Sequence, residues 1–349
     1  MGENTLQKHR DLNLDLIRGV ATFLVLSVHF FLWNGFYYQP MVGKRMLLMC
    51  VMRMGFMTCV PLFLILTGYL CRNKELSRRY YLGLVRILVT YLLCCFVCLA
   101  LRWYRGAMTF RQALDEFMAY TAAPYGWYIE MYFGLFLLIP FLNLIWKGLE
   151  SKKSRQVLLV TLVVLTALPS VVNVKWAIMP DWWVGTYPLL YYFLGAYLGE
   201  YQPKPSWWKT LVALAAVTTL AGAAIYLRGR FSSTGLFVWD DLANWNSLFV
   251  VCGSCLLFLL LRQIPVEKAP KWLRWMVGKA AQLSLEIYLL SWCVDSIVYP
   301  MLQRSVPDVL DRVFWYPVAV PVIFFCTALL AQLVEWVRKA LSGELRSGR

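Results

Sequence analysis

Apolar segments about twenty residues long recur along almost the whole 349-residue chain. A helix needs about twenty apolar residues to cross the hydrocarbon core of a bilayer. The sequence therefore predicts an all-α integral membrane protein, a bundle of about ten transmembrane helices. By this length, the predicted spans are residues 15–37, 46–70, 80–101, 126–146, 156–170, 185–200, 210–227, 243–261, 282–301 and 313–337.

The composition agrees with a membrane protein and argues against other classes. Hydrophobic residues make up 60% of the chain and charged residues 15%, whereas about a quarter of a soluble domain is charged. The net charge of +15 could indicate a nucleic-acid partner, but the cations lie between the apolar segments, where they face lipid headgroups. The ten cysteines show no zinc or redox spacing, so we expect no metal site.

The positive charges also predict the orientation of the chain in the membrane. Lys and Arg between the predicted spans number 21 on the side of the N-terminus and 10 on the opposite side. The positive-inside rule then places both termini in the cytoplasm. We expect one domain over residues 1–349, with short cytoplasmic tails at 1–13 and 338–349. In the outer loop 102–125, the segment FRQALDEFMAY predicts a short surface helix.

The first predicted span contains two ionisable residues, Arg18 and His29. Eleven residues make about three helical turns, so both side chains lie on one face, about 16 Å apart along the axis. His29 is the only histidine besides His9, and a neutral imidazole can act as a general base. Arg18 suits a phosphate or another anion, although it could equally be a snorkelling anchor for lipid headgroups.

Several segments resemble one known family. Arg18 and His29 form an R-x10-H pair preceded by LDLI, and four further segments agree in order along the chain. The sequence thus resembles the membrane-bound acyltransferase family 3, the O-acetyltransferases of bacterial surface glycans. The four segments are VPLFLILTGYL at 60–70, RRYYLGLVRILVTYLL at 78–93, GWYIEMYFGLFLLIPFLN at 126–143 and LSLEIYLLSW at 283–292.

The resemblance implies an integral-membrane O-acyltransferase in the cell membrane of a bacterium. Its donor would be acyl-CoA, usually acetyl-CoA, entering from the cytoplasm. Its acceptor would be a hydroxyl of an extracytoplasmic or lipid-linked glycan. His29 would act as general base on that hydroxyl, with a transient acyl-His as a variant. Arg18, together with Arg86 in the third span, would bind the phosphates of the donor, although Arg86 could also be a snorkelling residue.

The fourth predicted span carries a carboxylate, Glu130, beside Trp127 and Tyr128. We interpret Glu130 as a candidate catalytic residue that orients His29 or binds sugar hydroxyls. It could also form an ion pair with Arg53, which lies near the same outer boundary. Trp127 and Tyr128 are candidate acceptor-binding residues.

The ninth predicted span contains Asp295, which we place near the outer side as a further candidate acceptor-binding residue. Relatives often have a second histidine in this span, but the corresponding residue here is Ser291. A mechanism with two histidines is therefore in doubt, and a mechanism with His29 alone remains.

Other functions are open at this stage. A buried Arg, His and Glu would also suit a proton-coupled transporter or exporter of an acyl compound or glycan. The chain lacks the two similar halves of transporters built from inverted repeats, which favours the enzyme. A membrane sensor or scaffold is a third interpretation and predicts no effect of His29→Ala. The sequence specifies no oligomeric state.

Overall fold

The computed structural model describes residues 10–173 and 176–341, and these residues form an assembly of helices without a β-strand. In chain order, the helices are α1 (Leu12–Trp33), α2 (Gly43–Phe56), α3 (Cys59–Cys71), α4 (Arg78–Tyr104), α5 (Phe110–Met118), α6 (Trp127–Gly148), α7 (Lys152–Leu162), α8 (Pro169–Val172), α9 (Tyr187–Tyr201), α10 (Trp207–Arg230), α11 (Leu248–Arg262), α12 (Lys271–Gln282), α13 (Ser284–Ser305) and α14 (Tyr316–Leu341).

The predicted helical membrane bundle is confirmed. Within the described residues, eight helical segments are long and apolar enough to cross a bilayer, and each overlaps one predicted span. Helices α2 and α3 together form the second of them, with a break at Met57 and Thr58. The eight segments are Leu12–Tyr38, Gly43–Cys71, Arg78–Tyr104, Trp127–Gly148, Trp207–Arg230, Asp241–Arg262, Ser284–Ser305 and Asp311–Leu341.

The structure differs from the sequence prediction at the fifth and sixth spans. The segment predicted at 156–170 consists of α7 and α8, separated by the π-helical turn Val163–Ala167. The segment predicted at 185–200 is α9, whose 15 residues extend about 22 Å, less than the roughly 30 Å of a bilayer core. Neither is a regular full-length span, because a π turn interrupts one and the other is too short.

Helix α9 is nevertheless tightly integrated, because two glycines let its backbone approach α3. A Cβ atom on Gly195 would lie 2.0 Å from the carbonyl oxygen of Ile65, and one on Gly68 would lie 1.9 Å from that of Tyr192. Side chains at these positions would push the helices apart. Small residues allow such close helix packing inside membranes.

Helix α1 lies at the centre of the bundle and contacts α3, α11, α12, α13 and α14. Its first turn is capped by Asp11, whose side chain accepts hydrogen bonds from the amides of Asn13 and Leu14. The helix ends at Trp33, and Gly35 then adopts a left-handed conformation with φ of 78°. This central position places the face that carries Arg18 and His29 among the neighbouring helices.

The predicted surface helix is confirmed as α5. Thr109 and Gln112 form a capping box at its start, and none of its residues is buried. The chain then turns inward, because Ala122, Ala123 and Tyr125 are buried before α6 begins. The loop between α5 and α6 therefore reaches the interior of the bundle.

Candidate active site

An inner cavity of about 320 Å³ lies at the end of the bundle that the charge distribution predicts to be cytoplasmic. Arg18 is the one cation that lines it within the described part of the chain. The guanidinium of Arg18 has no hydrogen bond or ion pair with any described residue, so it is available to an anion. Most of the remaining wall is apolar and comprises Val25, Val60, Phe63, Leu66, Leu70, Ile87 and Leu285.

An outer cavity of about 550 Å³ lies beyond it, and His29 is part of its wall. The break between α2 and α3 faces this space, since Met57, Cys59 and Val60 line it. The opposite wall is aromatic and acidic. It comprises Trp127, Trp239, Asp240, Asp241 and Trp245.

The two cavities meet at three side chains that line both of them, Val25, Val60 and Tyr288. Val25 lies seven residues after Arg18 and four before His29, so the three residues form one stripe along α1. Along the helix axis, Val25 is about 6 Å from the level of His29. The cavity with the cation and the cavity with the imidazole are therefore adjacent, and the three residues that line both are called the junction below.

A carboxylate lies next to the imidazole of His29, on the side of its Nδ1 atom. Its Nδ1 atom lies 3.5 Å from Oδ2 of Asp295, which is on α13 and fully buried. At this distance Nδ1 makes no hydrogen bond with any described residue, so the contact with Asp295 is electrostatic. With Nδ1 turned towards Asp295, Nε2 is the nitrogen left to face the outer cavity. An arrangement of this kind fixes the orientation of an imidazole and stabilises its protonated form.

Two further residues complete the group around His29. The hydroxyl of Tyr125 donates a hydrogen bond to Oδ2 of Asp295 over 2.8 Å and accepts one from Nε1 of Trp33 over 2.5 Å. The rings of Tyr125 and His29 stack with their centroids 3.7 Å apart. Burial, and secondly the Asp295 carboxylate, raise the pKa of the Tyr125 phenol well above its usual value, so the hydroxyl stays protonated and donates.

Tyr125 also links His29 to the junction between the cavities. Its carbonyl oxygen accepts a hydrogen bond from the hydroxyl of Tyr288. Tyr288 and Asp295 are seven residues apart on α13 and so lie on the same face of that helix. The loop before α6 and the face of α13 thus position the junction and the imidazole together.

Four of the residues predicted from sequence line the two cavities. Arg18 and Tyr128 line the inner cavity, while His29 and Trp127 line the outer one. The indole of Trp127 stacks on that of Trp245 with 4.4 Å between ring centroids, which makes a flat aromatic wall.

Asp295 was predicted to face the acceptor, but it lines neither cavity and instead contacts His29. Glu130 and Arg86 are exposed on α6 and α4, and neither lines a cavity. The structure thus places at Asp295 the contact with His29 that the sequence suggested for Glu130. Arg53 does not pair with Glu130 either, because its nitrogen atoms bond to Tyr37 and Ala243.

Sequence reasoning missed Tyr125, Trp33 and the junction residues. Tyr125 lies in a loop whose aromatic residues resemble those of any membrane interface, and no periodicity marks it. Val25 could have been found, because it shares the helical face of Arg18 and His29. Ser291 is buried, and its hydroxyl donates a hydrogen bond to the carbonyl oxygen of Tyr288.

No group of three or more His, Cys, Asp or Glu side chains that could hold a metal ion occurs among the residues the structure describes. The groups gathered around the two cavities are instead a base with its carboxylate, a cation, and aromatic and apolar walls.

These features define a multi-pass membrane protein with a buried His–Asp pair beside an outer cavity that adjoins an inner cavity. The family model for the acyltransferase domain of the acyltransferase 3 family matches residues 11–334. The chain therefore belongs to this family and is an acyltransferase. Searches of curated proteins and of solved structures find no match.

Proposed function

We propose that the protein transfers an acyl group, normally acetyl, from cytoplasmic acyl-CoA to a hydroxyl of an extracytoplasmic or lipid-linked glycan. The membrane is the cell membrane of a bacterium. The observation that carries this proposal is the junction: the cavity with Arg18 and the cavity with His29 share three lining residues. A donor held on one side can thus reach a base on the other.

The donor occupies the inner cavity in this proposal. CoA carries several phosphate charges and a long, thin arm that ends in the thioester. Arg18 attracts the charged part, and the apolar wall accommodates the arm. The acyl group then passes Val25, Val60 and Tyr288 and reaches the level of His29. The nucleotide part remains at the cytoplasmic end, where Arg18 attracts its phosphates.

The acceptor occupies the outer cavity, where the stacked Trp127 and Trp245 offer a flat surface to the apolar face of a sugar ring. Nε2 of His29 takes the proton of the acceptor hydroxyl while the hydroxyl oxygen attacks the thioester carbon. The carbon–sulfur bond then breaks, and the departing CoA thiolate receives the proton from the imidazolium. Asp295 stabilises that imidazolium during the reaction and does not itself take the proton.

Transfer of label from [14C]acetyl-CoA to candidate glycans tests this function with purified protein in lipid nanodiscs. His29→Ala is expected to abolish transfer, and Arg18→Ala is expected to raise the KM for acetyl-CoA. Arg45→Ala is the matched control, since Arg45 is half exposed and paired with Asp311 away from both cavities. Undiminished transfer by His29→Ala would exclude the proposed base.

A further inference from the structure

Arg53 is a buried cation that the proposed reaction does not use. It lies on α2 within a membrane-crossing segment and is only 1% exposed. None of its contacts among the described residues is with a carboxylate. Removing an unpaired charge from water is expensive, and ionisable residues inside membrane segments mark functional sites by default.

The surroundings of Arg53 fix its guanidinium but leave one nitrogen free. Nε donates to the hydroxyl of Tyr37 over 3.1 Å, and Nη1 donates to the carbonyl oxygen of Ala243 over 3.0 Å. The ring of Phe237 lies 4.6 Å from the guanidinium carbon, and Trp239 also packs against it. Nη2 has no hydrogen-bond partner among the described residues, so two N–H donors of a charged group are unused.

Arg53 is part of the wall of the outer cavity. Arg53 lines the same cavity as His29 and is its one permanent cation within the described part of the chain. Of the two acids on the wall, Asp240 is already paired with Arg228 at 2.9 Å. Asp241 has no ion pair with a described residue, so its carboxylate repels any anion that enters the cavity. An anion is therefore restricted to the part of the cavity near Arg53.

We propose that Arg53 binds an anionic group of the acceptor, a carboxylate or a phosphate, while His29 activates a hydroxyl of the same molecule. This inference rests on the proposed function, because the acceptor must occupy the outer cavity. A bound anion would supply the direct ionic contact that no carboxylate among the described residues makes with Arg53. Hydrogen bonds to charged groups are also the stronger ones and suit the fixed geometry of a guanidinium.

A pair of glycosides that differ in one carboxylate tests the proposal by binding alone. Octyl β-D-glucuronide and octyl β-D-glucoside are titrated calorimetrically into nanodiscs that contain the His29→Ala variant, which cannot turn over. We expect the glucuronide to bind at least about tenfold more tightly, the lower range for a hydrogen bond to a charged group. Octyl glucoside 6-phosphate in a third titration distinguishes a phosphate preference from a carboxylate preference.

Variants of the cation then assign the preference to Arg53. Arg53→Met is expected to reduce the glucuronide/glucoside ratio to within about twofold, while Arg53→Lys retains part of it. Arg45→Met is the matched control and should keep the ratio. Equal binding of all three glycosides to the protein that retains Arg53 would overturn the proposal, as would an unchanged ratio in Arg53→Met.

The outcomes separate this inference from the proposed function. If Arg53→Met does not fold, Arg53→Lys assigns the preference, and equal binding of the glycosides to the protein that retains Arg53 still overturns the proposal. Suppose that the acidic glycosides bind more tightly than octyl glucoside but wild-type protein transfers no acetyl group to any glycoside. The proposed function then fails, and the anion site stands. If wild-type protein acetylates the neutral and acidic glycosides equally well and binds them equally, the anion site fails and the transferase function stands.

Discussion

Asp295→Asn is the substitution that most directly tests the role of the carboxylate behind His29. It removes one charge while preserving the shape of the side chain. At the observed 3.5 Å, and with an effective dielectric constant of about 20, a carboxylate and an imidazolium attract each other by about 5 kcal/mol. In the proposed mechanism, the imidazolium forms as the hydroxyl loses its proton, so this attraction would stabilise the transition state.

A loss of that size predicts that kcat falls by about 4,000-fold, since each 1.4 kcal/mol corresponds to a factor of ten. The KM for acetyl-CoA should change little, because Asp295 does not line the inner cavity, where the donor is proposed to bind. The assay is label transfer from [14C]acetyl-CoA at saturating donor in nanodiscs. Asp311→Asn, in an exposed carboxylate at the outer end, is the control. If Asp295→Asn has a kcat within about threefold of wild type, with an unchanged melting temperature, the His–Asp pair plays no part in catalysis.

Three further substitutions test other parts of the structure. Tyr125→Phe removes the hydroxyl that hydrogen-bonds to Oδ2 of Asp295 and Nε1 of Trp33. We expect the free energy of unfolding to fall by about 1–3 kcal/mol in chemical denaturation, and kcat to fall in the transfer assay. An unaltered kcat would show that His29 does not depend on Tyr125. Val60→Phe places an aromatic ring at the junction, at an overpacking cost of about 1–3 kcal/mol in stability. It should stop acyl transfer while acetyl-CoA still binds in equilibrium titration, whereas the control Val60→Ala should keep transferring. Full transfer by Val60→Phe would refute passage of the acyl group through the junction. Gly195→Ala forces α9 away from the carbonyl oxygen of Ile65 and should lower the melting temperature in detergent. The control is Gly134→Ala on α6, where the added Cβ atom meets no other atom within 4 Å and the melting temperature should not change. Equal melting temperatures of the two variants would contradict the packing argument.

The parts of the fold that one segment determines by itself could be predicted from the sequence. Span length follows from the run of apolar residues, and eight predicted spans have their helix in the structure. The shared face of Arg18 and His29 follows from the period of a single helix. The fifth and sixth predicted spans differ from the structure for local reasons that hydropathy does not reveal, such as the π turn at Val163–Ala167.

The contacts that complete the candidate site depend on how distant segments are rotated against each other. Asp295 meets His29 only because α13 turns that face towards α1, whereas Glu130 points outward on α6. The sequence shows both carboxylates at similar depth and cannot rank them. Tyr125 is still harder to predict, because an irregular loop carries it into the bundle and no residue pattern encodes that path.

The junction has a consequence for the membrane as a whole. Val25 and Val60 offer no ligand to a hydrated ion, and a hydrophobic constriction of this kind tends to lose its water. An apolar junction of this kind opposes the passage of sodium ions and protons. Under the proposed function, the acyl group would change sides while the electrical insulation of the bilayer stays intact, so acylation on the outer side need not dissipate the ion gradients of the cell.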